Sequence, residues 1–400
     1  MKRVWVSMVL ILFFITIGTI AAILYARGYR FLPENGRAHI EGTGLLVLTS
    51  KPEGARVEIN NHLTTATNNT INLSPGKYDV VIEKDGYIPW KKQIVVDKEV
   101  VSEVNALLYP TAPKLEAITS TGATNPVLDT TGTLIAYTVS SSSATKNGAY
   151  VLDMNARPLI SFGGQTTQIT NNQVDAFSDA TLSFSPDGKE MLAQIKTQSG
   201  ITSYLLPVRN FIDTPQDVTT SLFQVQKDWE QQAQDKNKKI LDSFPKELRT
   251  IVIDNFSDFS MSPEGDKILY TASQSALLPI VKKPRIVGGN STLEQRKLTK
   301  GNTYVYDIKD DRNYIIFDKT DIKESETSPR FFWNSDSRHL VFAKYNKITI
   351  LEYDGGNPTT VYAGPFLDNY IFPWPDGTSI AIITRLNPGS PYNIYKLGLQ

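Results

Sequence analysis

Ser185-Pro186-Asp187-Gly188, Ser262-Pro263-Glu264-Gly265 and Trp374-Pro375-Asp376-Gly377 are three copies of one turn. Pro pre-sets φ at the first corner, and Gly takes the left-handed corner that other residues avoid. Asp129-Thr130-Thr131-Gly132 and Ser335-Asp336-Ser337 are two weaker copies. Aligned on the Gly, with Ser337 standing in its place in the fourth copy, the flanking residues fall into columns. Three places on stand Ile135, Met191, Ile268, Leu340 and Ile380. Five places on stand Tyr137, Ala193, Tyr270, Phe342 and Ile382, and four places back stand Leu128, Phe184, Met261, Trp333 and Pro373. Apolar columns of period two, held in register across five copies, predict a repeated β-hairpin.

A third strand follows each hairpin, at Tyr150–Asp153, Tyr204–Pro207, Tyr304–Asp307, Ile350–Asp354 and Ile394–Leu397. This pattern resembles the Pro-Asp-Gly repeats of TolB-like β-propellers, whose WD-type blades have four strands. The resemblance runs over residues 112–400 and implies five blades, with a degenerate sixth as the alternative. The last repeat stops at its third strand. Its outer strand is expected from residues 114–119, which would tie the two ends of the repeat array together and hide a free edge.

Two insertions interrupt the repeats. Residues 221–249 read as helix: Ser221 with Gln224 fits a capping box, and Leu222, Val225, Trp229 and Ala233 fall on one face. A second stripe of Ile240, Leu241, Phe244 and Leu248 follows, with a break expected near Phe244 because Pro245 is next. The segment reads as a helical hairpin on the propeller rim or as a docking arm. Residues 273–300 read as a long loop carrying Lys282-Lys283-Pro284-Arg285, Gly288-Gly289 and Arg296-Lys297. A basic loop is either a solvated surface or a contact for an acidic polymer or lipid headgroups.

Tyr109-Pro110-Thr111-Ala112-Pro113 reads as a stiff hinge, with the boundary at 110–113. Before it lie short alternating strands separated by turns at Lys51–Gly54, Asn60-Asn61, Ser74–Gly76 and Asp85-Gly86, the pattern of a small β-sandwich over residues 44–109. Thr49-Ser50-Lys51-Pro52-Glu53-Gly54-Ala55-Arg56-Val57 resembles the opening of a PEGA domain, with Pro52-Glu53-Gly54-Ala55 intact. Leu73-Ser74-Pro75-Gly76-Lys77-Tyr78 and Asp85-Gly86-Tyr87 match that family's later landmarks in order. The sequence departs from the family between Asn61 and Ile71, where His62-Leu63-Thr64-Thr65-Ala66-Thr67 replaces a Gly-x-Thr-Pro turn. The resemblance implies an extracytoplasmic spacer or adhesion module without chemistry of its own. Gly54, Gly76 and Gly86 are read as turn formers, and Tyr87 and Trp90 as core residues in preference to a sugar platform.

At the amino end, residues 4–26 are almost wholly apolar and uncharged. At about 1.5 Å per residue they reach roughly 34 Å, enough for a bilayer core of about 30 Å. The apolar run exceeds that of a cleaved leader, and Leu24-Tyr25-Ala26 is a poor cleavage site, so residues 1–27 read as a cytoplasmic stub and signal anchor. Residues 28–43 read as a polar tether. Lys2 and Arg3 precede the span, while Arg27, Arg30 and Arg37 follow it. The flanking charges alone favour the reverse orientation. Long following domains translocate largely regardless of charge, and the bulk of the chain is placed outside the cytoplasm.

Composition narrows the chemistry. Forty-one basic residues balance 41 acidic ones, which gives no reason to expect nucleic acid as a partner. With no cysteine, disulfides, thiolate metal sites and cysteine nucleophiles are excluded. His39, His62 and His339 are the only histidines. His62 is read as a loop residue and His339 as a surface or edge residue, neither with metal-ligand company. Asp310-Asp311 reads as a solvated turn. No Gly-x-Ser-x-Gly elbow, His-Glu-x-x-His helix or P-loop is present.

The reading is therefore an all-β chain: an N-terminal transmembrane helix, a PEGA-like sandwich, and a five- or six-bladed β-propeller at 114–400 with a helical insertion. No catalytic, cofactor-binding or metal residue is assigned, and no binding residue can be named. The expected function is a non-enzymatic envelope protein, held in the lipid bilayer by residues 4–26 and presenting the propeller to an envelope protein or polysaccharide. A carbohydrate-binding or carbohydrate-active protein and a purely structural spacer are the alternatives.

Overall fold

A computed structural model describes residues 2–26, 29–34, 37–141, 143–155, 165–198, 200–284, 290–323, 326, 328–367 and 370–400. The chain forms two compact units, residues 1–111 with 282–293, and residues 112–281 with 294–400.

The first unit begins with helix α1 (Lys2–Ala26), whose described side chains are all exposed. Among the described residues no helix is long and apolar enough to cross a membrane. The expected tether carries a hairpin of its own, β1 (Tyr29–Glu34) against β2 (Arg37–Gly42).

Seven further strands follow: β3 (Gly44–Lys51), β4 (Arg56–Ile59), β5 (His62–Ala66), β6 (Asn69–Leu73), β7 (Gly76–Glu83), β8 (Trp90–Val96) and β9 (Val101–Leu107). They form two sheets in the orders β6-β3-β9 and β5-β4-β7-β8, with β3 and β9 parallel. Alternation along each strand turns Leu46, Leu48, Val57, Ile82, Val104 and their neighbours into one shared core. Trp90, 6% exposed, belongs to that core, and Tyr87 packs against it. Gly54 and Gly86 take positive φ, as turn formers do. Gly76 does not: it is the first residue of β7. Beyond the sandwich, Tyr109 O accepts from Ile88 N and Thr111 N donates to Gly86 O.

The second unit holds five four-stranded antiparallel sheets. Sheet one is Thr124–Leu128, Leu134–Val139, Gly148–Asp153 and Thr166–Asn171. Sheet two is Thr181–Phe184, Glu190–Thr197, Gly200–Pro207 and the short Gln216–Asp217. Sheet three is Phe256–Met261, Lys267–Ala272, Thr303–Asp307 and Arg312–Phe317. Sheet four is Phe331–Trp333, His339–Lys344, Lys347–Glu352 and Thr359–Ala363. Sheet five is Ile371–Pro373, Ser379–Thr384 and Asn393–Gly398, completed on its outer edge by Leu115–Ala117. That splice falls inside the expected stretch 114–119. This is blade topology, and no sixth sheet occurs in this unit among the described residues.

The aligned columns pair face to face. Leu128 lies opposite Ile135, Phe184 opposite Met191, Met261 opposite Ile268, Trp333 opposite Leu340, and Pro373 opposite Ile380. The second member of every pair is completely buried. Adjacent sheets share cores: the first with the second, the third with the fourth, and the fifth with the first through Phe372, Trp374, Ile135 and Tyr137.

The insertion between sheets two and three is two helices, α2 (Leu222–Ser243) and α3 (Lys246–Asn255), broken at Phe244-Pro245. Helix extends to Asn255, past the expected end at 249. In α3, Leu248, Ile251 and Val252 are buried at helical spacing. In α2 nothing is fully buried. The expected capping box is not formed: Ser221 Oγ donates to Val218 O instead of capping α2.

Candidate functional site

The five repeated turns share one hydrogen-bond design. The residue three before the left-handed corner donates its N–H to the carbonyl five places on: Asp129 to Leu134, Ser185 to Glu190, Ser262 to Lys267, Asn334 to His339 and Trp374 to Ser379, at 2.8–2.9 Å. Its carbonyl accepts from the corner residue, Gly132, Gly188, Gly265, Ser337 or Gly377. These five corners have φ between 56° and 74°. Short polar side chains then cap the loop. Asp129 Oδ1 accepts from Thr133 N at 2.7 Å and Leu134 N at 2.8 Å. Ser185 Oγ donates to Asp187 Oδ1 at 2.7 Å. Asp336 Oδ1 accepts from Arg338 N and His339 N, and Asp376 Oδ1 from Thr378 N. The Asp of the repeat is thus a turn-forming acceptor.

Neighbouring turns also touch. Thr130 Oγ1 donates to Pro186 O at 3.0 Å, linking the first turn to the second. Glu264 N donates to Ser337 Oγ at 2.8 Å, linking the third to the fourth. A Cβ at Gly377 would lie 2.3 Å from Ser335 Oγ, so the fourth and fifth are in contact. Between the first two turns opens a hollow of about 440 Å³, lined among others by Asp129, Thr131, Thr133, Asp187, Lys189 and Arg209. Arg209 reaches Asp153 at 3.5 Å and Lys189 reaches Asp187 at 3.4 Å, with both cationic side chains largely exposed. The Ser185 hydroxyl, aided by the Lys189 N–H, holds the Asp187 carboxyl below its ordinary range. The hollow is polar and carries charge of both signs, and in its lining the Thr131 hydroxyl donates to Asp129 Oδ2.

Several sequence expectations change here. His339 is buried, 6% exposed, and its Nδ1 lies 2.6 Å from Asp336 Oδ2; it is neither a surface residue nor on an edge strand. Burial alone would raise the Asp336 carboxyl. The His339 contact and the backbone N–H groups outweigh burial and hold it at about 2. Asp311 is not a solvated turn residue. It is 1% exposed and accepts from Tyr306 OH at 2.6 Å, Val281 N at 2.7 Å and Arg296 at 2.9 Å. Arg296 is therefore no free member of a basic surface: it pins the base of the loop, also donating to Pro279 O at 2.6 Å. Lys283 and Lys297 are exposed, whereas Arg285, Gly288 and Gly289 lie outside the described residues. Residues 282–293 belong with the first unit, where Ser291 Oγ accepts from Val95 N. His62 is exposed, and no group of acidic or His residues that could hold a metal occurs among the described residues. The side chain of His39 lies outside them.

Sequence reasoning found the turns but not the hollow. Arg209 and Asn210 follow the third strand of sheet two, whose last residue Pro207 lies opposite Glu190, and only folding brings them beside the first turn. Nor did it find the role of Ser337, whose hydroxyl fills a place that Gly would leave empty.

Residues 43–112 match the PEGA domain family. No curated protein matches the chain. Among solved structures, TolB from Acinetobacter baumannii aligns at 15% identity and TM-score 0.24, covering 90% of this chain and 64% of that one. A protein described as TolB from Agrobacterium tumefaciens aligns at 14% identity and TM-score 0.22, covering 73% of this chain and 85% of that one. Hydrazine synthase from Kuenenia stuttgartiensis aligns at 10% identity and TM-score 0.20, covering 84% and 88%. The blade assignment rests on sheet order and register, not on these alignments.

Proposed function

We propose that this chain is a non-enzymatic, membrane-anchored envelope protein, whose five sheets close into a propeller and present the turn-bearing end to an envelope protein or surface polymer. The observation that carries the reading is the joined array of turns with its polar hollow. Loops fixed on a rigid frame are where binding surfaces are built. A hollow with both charge signs and hydroxyls suits polar contacts. Closure of the ring is supported by the Leu115–Ala117 splice and by the core shared between the fifth and first sheets.

Anchoring is supported by α1. The helix has 25 residues, about 37 Å at 1.5 Å each. Large apolar side chains such as Trp5, Phe14 and Ile20 are more than half exposed around it, which water would penalise and lipid would not. The hydroxyls of Thr16 and Thr19 donate to Leu12 O and Ile15 O, so the helix satisfies its own polar groups, as a bilayer demands. With α1 in the membrane through residues 4–26, the PEGA domain and the propeller lie outside the cytoplasm.

Two experiments test this. A tag after Gln400 on intact cells or spheroplasts is expected to be digested from outside, and protection until the membrane is opened would reverse the orientation. A photo-crosslinking residue at Lys189 is expected to capture a discrete species in cells, weakened at least tenfold by Arg209→Glu. Absence of any adduct, or one indifferent to Arg209, would move the binding surface elsewhere.

A further inference from the structure

The end of sheet four away from its repeated turn breaks two local rules at once. The hairpin joining its second and third strands is Lys344-Tyr345-Asn346-Lys347. Both loop residues are left-handed, Tyr345 at φ 54° and Asn346 at φ 56°. Such a loop favours Asn, Asp and Gly, and a bulky side chain there is strained. Tyr345 is the one aromatic residue with positive φ among the described residues, and it is 63% exposed, so core packing does not offset the strain. The second breach is electrostatic. Lys344 and Lys347 stand directly opposite each other, where like charges destabilise a sheet. They lie on its two inner strands, so they do not guard an edge.

Further cations gather here. Lys344 Nζ donates to Asp321 O at 3.4 Å, which brings the link between sheets three and four, with exposed Lys319 and Lys323, to the hairpin. A Cβ at Gly301 would lie 3.1 Å from Lys319 Cδ, which sets exposed Lys300 close by. Among the described residues none of these lysines forms an ion pair. Two of the acids at this end are engaged. Asp318 Oδ1 accepts from Thr320 N at 2.9 Å, and Glu326 Oε2 accepts from Tyr345 OH at 2.7 Å. The Tyr345 ring is therefore held at its tip, with Lys344 Nζ 4.8 Å from its centre.

We propose that this end of sheets three and four is a second binding site, one that takes an acidic polysaccharide. One sugar ring stacks on Tyr345, and its carboxylates lie on Lys344 and Lys347. A fixed, exposed aromatic ring gives the apolar face of a sugar a platform with little ordering left to do. An anion shared by Lys344 and Lys347 replaces their repulsion with attraction. Strain and repulsion of this kind persist in native folds where binding uses them. A polyanion without rings would use only the charges, and a neutral glycan only the ring; an acidic glycan uses both.

The probe is polygalacturonate, titrated calorimetrically into the full-length protein in detergent at low salt, where surface charges are least screened. Binding is expected. Tyr345→Asn puts in the loop a residue it favours. It is expected to weaken binding by about tenfold or more and to unfold at no lower temperature, because the left-handed strain is relieved. Lys347→Glu is expected to weaken it by about tenfold or more as well. Arg209→Glu, in the hollow at the turn-bearing end, should leave it unchanged. Polyphosphate should respond to Lys347→Glu but not to Tyr345→Asn. Absence of polygalacturonate binding, or binding indifferent to Tyr345→Asn or to Lys347→Glu, would overturn the proposal. So would a Tyr345→Asn chain less stable than the wild type, which would make the ring a structural element. Weakening by Arg209→Glu would assign the polymer to the hollow instead, and polyphosphate binding that needs Tyr345 would remove the sugar ring from the argument; either result sinks the proposal.

Discussion

Ser337 occupies the corner that Gly fills in the other four turns, at φ 56° and completely buried. A left-handed conformation costs a non-Gly residue about 1–2 kcal/mol. Its hydroxyl accepts the N–H of Glu264, and a buried donor left without a partner costs about 1–3 kcal/mol. The two replacements therefore separate. Ser337→Ala keeps the strain and loses the bond, whereas Ser337→Gly loses the bond and relieves the strain. The alanine variant is expected to be the less stable by about 1 kcal/mol in urea unfolding. Asp336, in the same turn, sets a pH dependence. Its folded value of about 2 lies below the ordinary unfolded value of about 3.9. Its contribution is then complete above about pH 4 and disappears as the pH falls toward 2, a change on the order of 2 kcal/mol. Urea unfolding of Asp336→Asn is expected to lack that part of the acid slope, while Asp376→Asn retains it.

Among the elements, the long segment 273–300 departs most from its sequence reading. Its charge looked like a solvated basic surface, yet Arg296 spends its guanidinium on Asp311, whose side chain is 2% exposed. An Arg on a loop gives no sign of its partner until strand pairing in sheet three sets Arg312 opposite Asp307 and so turns the chain at Asp311. Breaking a buried pair strands the remaining charge, so Arg296→Met is expected to cost about 3–5 kcal/mol. The double variant Arg296→Met/Asp311→Asn should cost less than the two single changes together, because neither charge is left alone. Protease nicking within 273–300 would report the same order. The helices divide in an analogous way. Their stripes and the break at Pro245 were legible, since spacing and the missing proline N–H are local properties. Their burial was not: α3 buries Leu248, Ile251 and Val252, and α2 buries nothing completely.

For the whole molecule, the splice of Leu115–Ala117 onto Asn393–Gly398 makes the two ends of the second unit depend on each other. Removing residues 393–400 deletes a strand with neighbours on both sides, and is expected to abolish the protease resistance of residues 112–400. Deleting 114–118 removes only an outer strand and should leave a destabilised but cooperative fold; an equal effect of both deletions would show that closure matters more than sheet content. The array of sheets was readable because each blade's register is a local matter. The turn fixes its hairpin, period two fixes which side chains are inward, and five copies aligned on one corner give the same columns each time. The PEGA segment was readable for the same reason, down to Trp90 in its core. What the chain alone could not supply is everything that depends on approach between distant residues. The hollow beside Asp129 needs Arg209 brought from another strand, and the burial of His339 and Asp311 needs the sheets packed around them. Backbone geometry and side-chain alternation act over a few residues and are written in the sequence, whereas partners of charge and the burial of polar groups are set by packing, which only the tertiary structure decides.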